Sequence, residues 1–261
     1  MYQTHYLDKP CRNFCILSAA AFTDPRDGLA KFAVVSFVGF GRGVLYLVEP
    51  RGSTAESYEL PADNGAWALH NHHDRYLVIG TCPEGAYIHR FDLAARRFDR
   101  SVQVEGETYV WDLVDGGDGY LYGDTYSGCK LFRCDPERMT VEDLGRVSPN
   151  PKNLYTQNLR VLPGYVLVDA LQAERETWVY RQADGRLLPL EQAGELPDES
   201  QSRRKAAPAS FTLTDGSKVG INGQEYEFTE PGGEPVRRRI PGLPPATLIF
   251  SLCGDGADTL R

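Results

Sequence analysis

The chain has 261 residues, with 41% hydrophobic, 25% charged and 11% aromatic side chains. These are globular proportions, and they exclude a disordered chain. A formal net charge of −8 and a pI near 5.2 argue against a nucleic-acid backbone as the main partner. No run of 18 apolar residues is present, so no membrane helix is expected.

The N-terminus opens Met-Tyr-Gln-Thr-His, with neither a basic segment nor an apolar one of the signal-peptide kind. Six cysteines lie at 11, 15, 82, 129, 134 and 253. Their spacing lacks the paired histidines of a zinc site, and they are too few for a disulfide scaffold. Reduced, buried thiols in a cytoplasmic protein are expected, with no cofactor.

The chain repeats itself. Trp67-Ala-Leu-His aligns with Trp111-Asp-Leu-Val, and Tyr76-Leu-Val-Ile-Gly-Thr81 with Tyr120-Leu-Tyr-Gly-Asp-Thr125, both at a step of 44 residues. Gly119-Tyr-Leu-Tyr-Gly-Asp124 matches Gly164-Tyr-Val-Leu-Val-Asp169 one step on, and Arg75-Tyr-Leu-Val-Ile matches Lys31-Phe-Ala-Val-Val one step back. Within the third unit the β-rich runs are 108–114, 120–126, 130–134 and 140–147, separated by Gly116-Gly-Asp-Gly119, Ser127-Gly128 and Asp135-Pro136. No unit carries the stripe of an amphipathic helix.

Four antiparallel strands every 40 to 50 residues predict an all-β chain: a β-propeller with blades over about 15–61, 62–106, 107–150, 151–200 and 206–246. A partial sixth blade is expected over 247–261, opening on Thr247-Leu-Ile-Phe-Ser-Leu. Residues 2–7 would suit the outer strand of a closing blade. The arithmetic predicts a six- or seven-bladed propeller of which this chain is a part.

Several motifs lose their appeal in register. Trp111-Asp112 lies in the innermost strand, not where WD40 repeats place that dipeptide. Gly39-Phe-Gly41-Arg-Gly43 joins two strands and opens no helix, so it lacks the terminus a phosphate loop needs. His70-Asn71-His72-His73-Asp74 falls in and beside the turn between first and second strands, on the face opposite the usual binding loops. Residues 194–208 form a long polar connection, read as a solvated loop with a functional loop over the channel as the alternative.

The start of strand one and the end of strand two reach the loop face. Tyr109, Trp111, Asp112, Tyr126, Lys152, Asn153 and Tyr155 lie there. Trp67, Trp111 and Tyr155 recur at the repeat step and suit packing between blades. Tyr109, Asp112, Tyr126, Lys152 and Asn153 depart from the repeat, as grafted sites do. Trp111, Asp112, Asn153 and Tyr155 are candidates for ligand binding, since aromatic faces stack on sugars and polar groups take hydroxyls.

The stretch from Asp118-Gly-Tyr-Leu-Tyr-Gly-Asp-Thr-Tyr-Ser-Gly through Leu131 and Asp135-Pro136, then Val141-Glu-Asp-Leu-Gly145, resembles a blade of a group of bacterial propellers. That group includes many uncharacterised proteins and resembles seven-bladed lyases that cleave rhamnose-glucuronate polysaccharides. The likeness covers residues 28–192, and residue 124 is Asp where the pattern has Gly. It implies a carbohydrate-active propeller, lyase-like on uronate-containing glycans. β-Elimination needs a cation for the carboxylate and a base for the α-proton, roles assigned to Lys152 and to Tyr109 or Tyr126. The alternative is a non-catalytic scaffold binding a glycan or a protein on its loop face. A metal-dependent lactonase is a third reading, for which Asp112 and Asn153 are too few ligands.

Overall fold

A computed structural model describes residues 14–38, 41–205 and 209–243. The predicted strand at 2–7 and the partial unit at 247–261 lie outside these residues.

Among the described residues the chain is all-β, with two short 3₁₀ turns at Leu190–Gln192 and Glu199–Gln201. The strands fall into consecutive four-stranded antiparallel units. The first unit is β1 (Phe14–Thr23), β2 (Ala30–Val38), β3 (Val44–Glu49) and β4 (Thr54–Glu59). The second is β5 (Gly65–His72), β6 (Tyr76–Cys82), β7 (Tyr87–Asp92) and β8 (Arg97–Gln103). The third is β9 (Tyr109–Asp115), β10 (Leu121–Tyr126), β11 (Lys130–Asp135) and β12 (Thr140–Arg146). The fourth is β13 (Tyr155–Leu162), β14 (Tyr165–Leu171), β15 (Glu176–Arg181) and β16 (Arg186–Pro189), joined to the third by one pairing, Tyr126 with Tyr155. The fifth is β17 (Ser210–Thr212), β18 (Lys218–Asn222), β19 (Glu225–Thr229) and β20 (Val236–Arg239).

Burial falls from the second strand outward. Every residue of β6 (Tyr-Leu-Val-Ile-Gly-Thr-Cys) is buried, whereas β4, β8 and β12 alternate with mostly exposed positions. A strand covered on both faces reads as a continuous apolar run, and an outer strand alternates. The units therefore stack face to face. Phe22, Val35 and Leu47 of the first meet Leu69, Ile79 and Phe91 of the second. Val78 and Ile88 meet Val110, Leu113 and Phe132 of the third, and Tyr122 and Leu131 meet Val161, Val168 and Tyr180 of the fourth.

The fifth unit docks on the first. Leu213, Val219, Tyr226 and Phe228 share a core with Phe32, Val34 and Tyr46. Arg51 pairs with Asp215 and Glu230, and the Tyr226 hydroxyl donates to the Pro50 carbonyl at 3.3 Å. The spatial order is five, one, two, three, four. The free face of the fourth unit, with Leu162, Leu167 and Val179, is covered by Ala193 and Leu196 of the connection to the fifth.

Two buried ion pairs fasten neighbouring units. Asp24, with no exposed surface, accepts from Lys31 and from Arg96 of the second unit. Burial would raise its carboxyl, but Arg96 and Lys31 outweigh that and hold it below the usual carboxylate range. Arg90 pairs with Asp99 and donates to the carbonyls of Pro136 and Glu137, fastening the second unit to the third.

Candidate functional site

The innermost strands of the first four units each carry a register irregularity. Between β5 and β6 the register slips between Ala66 and Ala68, so Trp67 is the extra residue. Between β9 and β10, Val110 faces Thr125 and Asp112 faces Asp124, so Trp111 is the extra residue. A bulge bends the strand and re-aims its side chain. Here it brings the two indoles together, edge to face with centroids 5.0 Å apart.

Three tyrosines complete the cluster. Tyr109 stacks on Trp111 at 5.0 Å and 23° and meets the edge of Tyr126 at 5.4 Å. Tyr155 lies 6.1 Å from Trp111 and 6.3 Å from Tyr126. All five rings are half-buried. Burial pushes the Tyr109 hydroxyl above its ordinary range, so it stays protonated at neutral pH.

Charged groups lie behind the rings. Lys205 Nζ is 2.7 Å from Asp112 Oδ1 and donates to the carbonyls of Trp67 at 3.0 Å and Trp111 at 2.7 Å. Asp112 Oδ2 accepts from the Leu159 N–H at 3.2 Å. Asp124 accepts the Asp112 N–H at 2.9 Å and has no exposed surface. Burial first and the neighbouring Asp112 second raise its carboxyl well above the usual range, so it is held neutral.

Lys205 arrives on the connection between the fourth and fifth units. Arg203 forms a two-way backbone bridge with Val161 of β13 and an ion pair with Asp115. Residues 203–205 thus combine exposed Arg203 and Arg204 side chains with a backbone bridged to an inner strand and a lysine anchored on two others. With Ala19–Ala21 and residues 69–71 and 113–115 they line a cavity of about 310 Å³. A second cavity of about 500 Å³ is formed by connecting segments, among them Arg42, Asp63, Glu84 and Tyr87.

The structure brings together five of the residues predicted from sequence: Tyr109, Trp111, Asp112, Tyr126 and Tyr155. It does not bring Lys152 or Asn153 into that cluster. Lys152 is exposed, and its ammonium has no ion-pair partner among the described residues.

Asn153 is not open to solvent. It is fully buried, its amide donates to Ser148 Oγ and Glu176 Oε1, and its oxygen accepts the N–H groups of Ala173 and Glu174. Nor does it depart from the repeat. Asp63 accepts the N–H groups of Glu84 and Gly85, and Glu107 that of Gly128. Asp63, Glu107 and Asn153 are one recurrent device that ties the loop between strands two and three of the second, third and fourth units. The change of residue type hides the recurrence.

Sequence reasoning did not single out Lys205, and it passed over Asp124 as a small departure. The signal for Asp124 was in the repeat: positions 80, 124 and 169 are Gly, Asp and Asp. At Gly80 a Cβ would lie 2.4 Å from a Val110 methyl, so that unit has no room for a side chain. Asp169 faces Asn158, Arg160, Arg175 and Thr177, which hold it below the usual carboxylate range against the opposing effect of burial.

His70, His72 and His73 sit at the end of β5 and in the turn after it. Burial pushes His70 down to about 4, leaving it neutral at physiological pH. Among the described residues, no three His, Cys, Asp or Glu side chains converge in a metal-holding group. Cys129 and Cys134 are buried, and burial raises the Cys134 thiol to about 12. No described helix is long and apolar enough to cross a membrane.

No family model matches the chain, and no curated protein matches it. Among solved structures it is similar to one titled "Structure of U3-55K", at 11% identity and a TM-score of 0.49. The match covers 91% of this chain and 63% of that one.

Proposed function

We propose that the protein is a β-propeller whose four-stranded units are its blades, and that it binds a glycan, without turnover, at the aromatic cluster on its loop face. The observation that carries this reading is the cluster of Trp67, Tyr109, Trp111, Tyr126 and Tyr155, all half-exposed and two of them placed by bulges. Aromatic rings with polar edges suit the apolar faces of sugars. Large side chains on a rigid sheet lose little freedom on binding.

The lyase reading has less behind it. A tyrosine base needs its hydroxyl eased toward ionisation, and Tyr109 is shifted the other way. The cation assigned to that reaction, Lys152, stands apart from the rings, while Lys205 is already paired with Asp112.

The test is a titration of the protein with neutral and uronate-containing oligosaccharides, followed by indole fluorescence and by ultraviolet absorbance of unsaturated uronate. Saturable fluorescence change without new absorbance supports the binding reading. Growth of unsaturated product restores the lyase.

A further inference from the structure

The Lys205 ammonium is enclosed by acceptors from two inner strands. The Lys205 ammonium has three N–H donors, and three acceptors face it: the Trp67 carbonyl at 3.0 Å, the Trp111 carbonyl at 2.7 Å and Asp112 Oδ1 at 2.7 Å. The charge also lies 5.9 Å from the centre of the Trp67 ring, within reach of a cation–π contact.

None of these acceptors belongs to the segment that supplies the lysine. All three stand on β5 and β9, and two are carbonyls of bulge residues. A bulge leaves its extra residue out of the ladder, so its carbonyl needs a donor from elsewhere. The acceptors are thus built into the sheets, and the lysine reaches them from a connecting segment. A second feature points the same way. Asp124, fully buried behind Asp112, keeps one carboxyl oxygen with no hydrogen-bond partner among the described residues. Access exists too, because Lys205 lines the cavity of about 310 Å³.

We propose that this is a recognition site for primary ammonium groups, with Lys205 as its tethered occupant, and that an external ligand carrying such a group on a slender stem competes for it. The acceptor set satisfies three N–H bonds and one positive charge, and it offers no donor to an anion. The net charge of −8 favours approach of cations at long range, while Arg203 and Arg204 on the cavity wall oppose it locally and favour a ligand with a single ammonium on a slender stem. An alkylammonium, such as a lysine side chain or a diamine, and the amino group of an amino sugar share this chemistry. The inference does not depend on glycan binding at the rings.

The experiment is rescue of Lys205→Ala by small amines, read as thermal melting. The variant is expected to melt lower than wild type by about 5 °C, as loss of a paired, largely buried cation predicts. Added n-butylammonium chloride should restore melting saturably in Lys205→Ala. It should have little effect on wild type, and none beyond that of sodium chloride in Lys205→Ala combined with Asp112→Asn. Glucosamine hydrochloride forms the second arm: rescue by butylammonium alone assigns an alkylammonium ligand, and rescue by glucosamine an amino sugar. Recovery no greater than that given by sodium chloride at equal ionic strength overturns the proposal. If the variant does not fold, nitrogen-15 lysine spectra of wild type decide. A Lys205 ammonium signal, identified by its loss in Lys205→Arg, whose protons exchange slowly with water supports the site. Exchange as fast as that of exposed Lys152 overturns it.

Discussion

Phe32→Ala tests the docking of the fifth unit on the first. Phe32 has no exposed surface and lies edge to face with Phe211 at 5.8 Å and with Tyr226 at 5.3 Å, both from the fifth unit. Truncating a buried phenylalanine costs about 3–5 kcal/mol, and each aromatic pair contributes about 0.5–1.5 kcal/mol beyond area. Much of the loss should fall on one interface, because both rings that Phe32 touches belong to the fifth unit. Hydrogen exchange followed by mass spectrometry reads this directly. In Phe32→Ala, the amides of β18 and β19 should lose protection while those of β10 and β11 keep theirs. Phe132→Ala, equally buried but between the second and third units, is the control and should spare the fifth. Unchanged protection of β18 and β19 in Phe32→Ala, or equal loss there in Phe132→Ala, would refute the spatial order five, one, two, three, four.

Three further outcomes follow from single residues. Burial pushes His89 down to about 4 from an ordinary 6.5, so between those values the native state binds fewer protons than the unfolded one. Its contribution is full above pH 6.5 and is lost as pH falls through that window, by up to about 3 kcal/mol, which urea midpoints across pH should show and His89→Gln should flatten. Asn153→Ala strands the N–H groups of Ala173 and Glu174 and should cost about 2 kcal/mol in urea unfolding while leaving ligand affinity within about twofold, whereas a large affinity loss would return Asn153 to the site. Gly80→Ala drives a Cβ to within 2.4 Å of Val110 and should destabilise by about 1–3 kcal/mol in the same assay, and a neutral result would show the second and third units to be less closely packed.

The architecture was legible because the first four units repeat the same pattern of a buried second strand and a more exposed fourth. The third unit was read at 108–114, 120–126, 130–134 and 140–147, and its strands are Tyr109–Asp115, Leu121–Tyr126, Lys130–Asp135 and Thr140–Arg146. The aromatic half of the site was legible for the same reason, since Trp67 and Trp111 recur in step. The polar half was not. Lys205 lies in a connection without a counterpart in the repeat, and only the fold brings it to Trp67 and Trp111, 138 and 94 residues away in sequence. Asn153 misled because its role recurs while its residue type does not. The bulges at Trp67 and Trp111 were hidden too: one inserted residue leaves the step between them at 44 and changes only where the indoles point.

The central claim is that the exposed rings around Trp111 form the ligand surface. Its most direct test is titration of wild type and Trp111→Ala with the oligosaccharide that changes indole fluorescence. Trp111 contacts Trp67, Tyr109 and Tyr155, so its loss removes the middle of the platform. Loss of stacking worth about 1.5 kcal/mol or more predicts affinity weakened at least tenfold. A cooperative melt, lowered by the lost ring contacts, and an unchanged Lys152→Ala control should accompany it. Undiminished affinity in a folded Trp111→Ala protein would contradict the account.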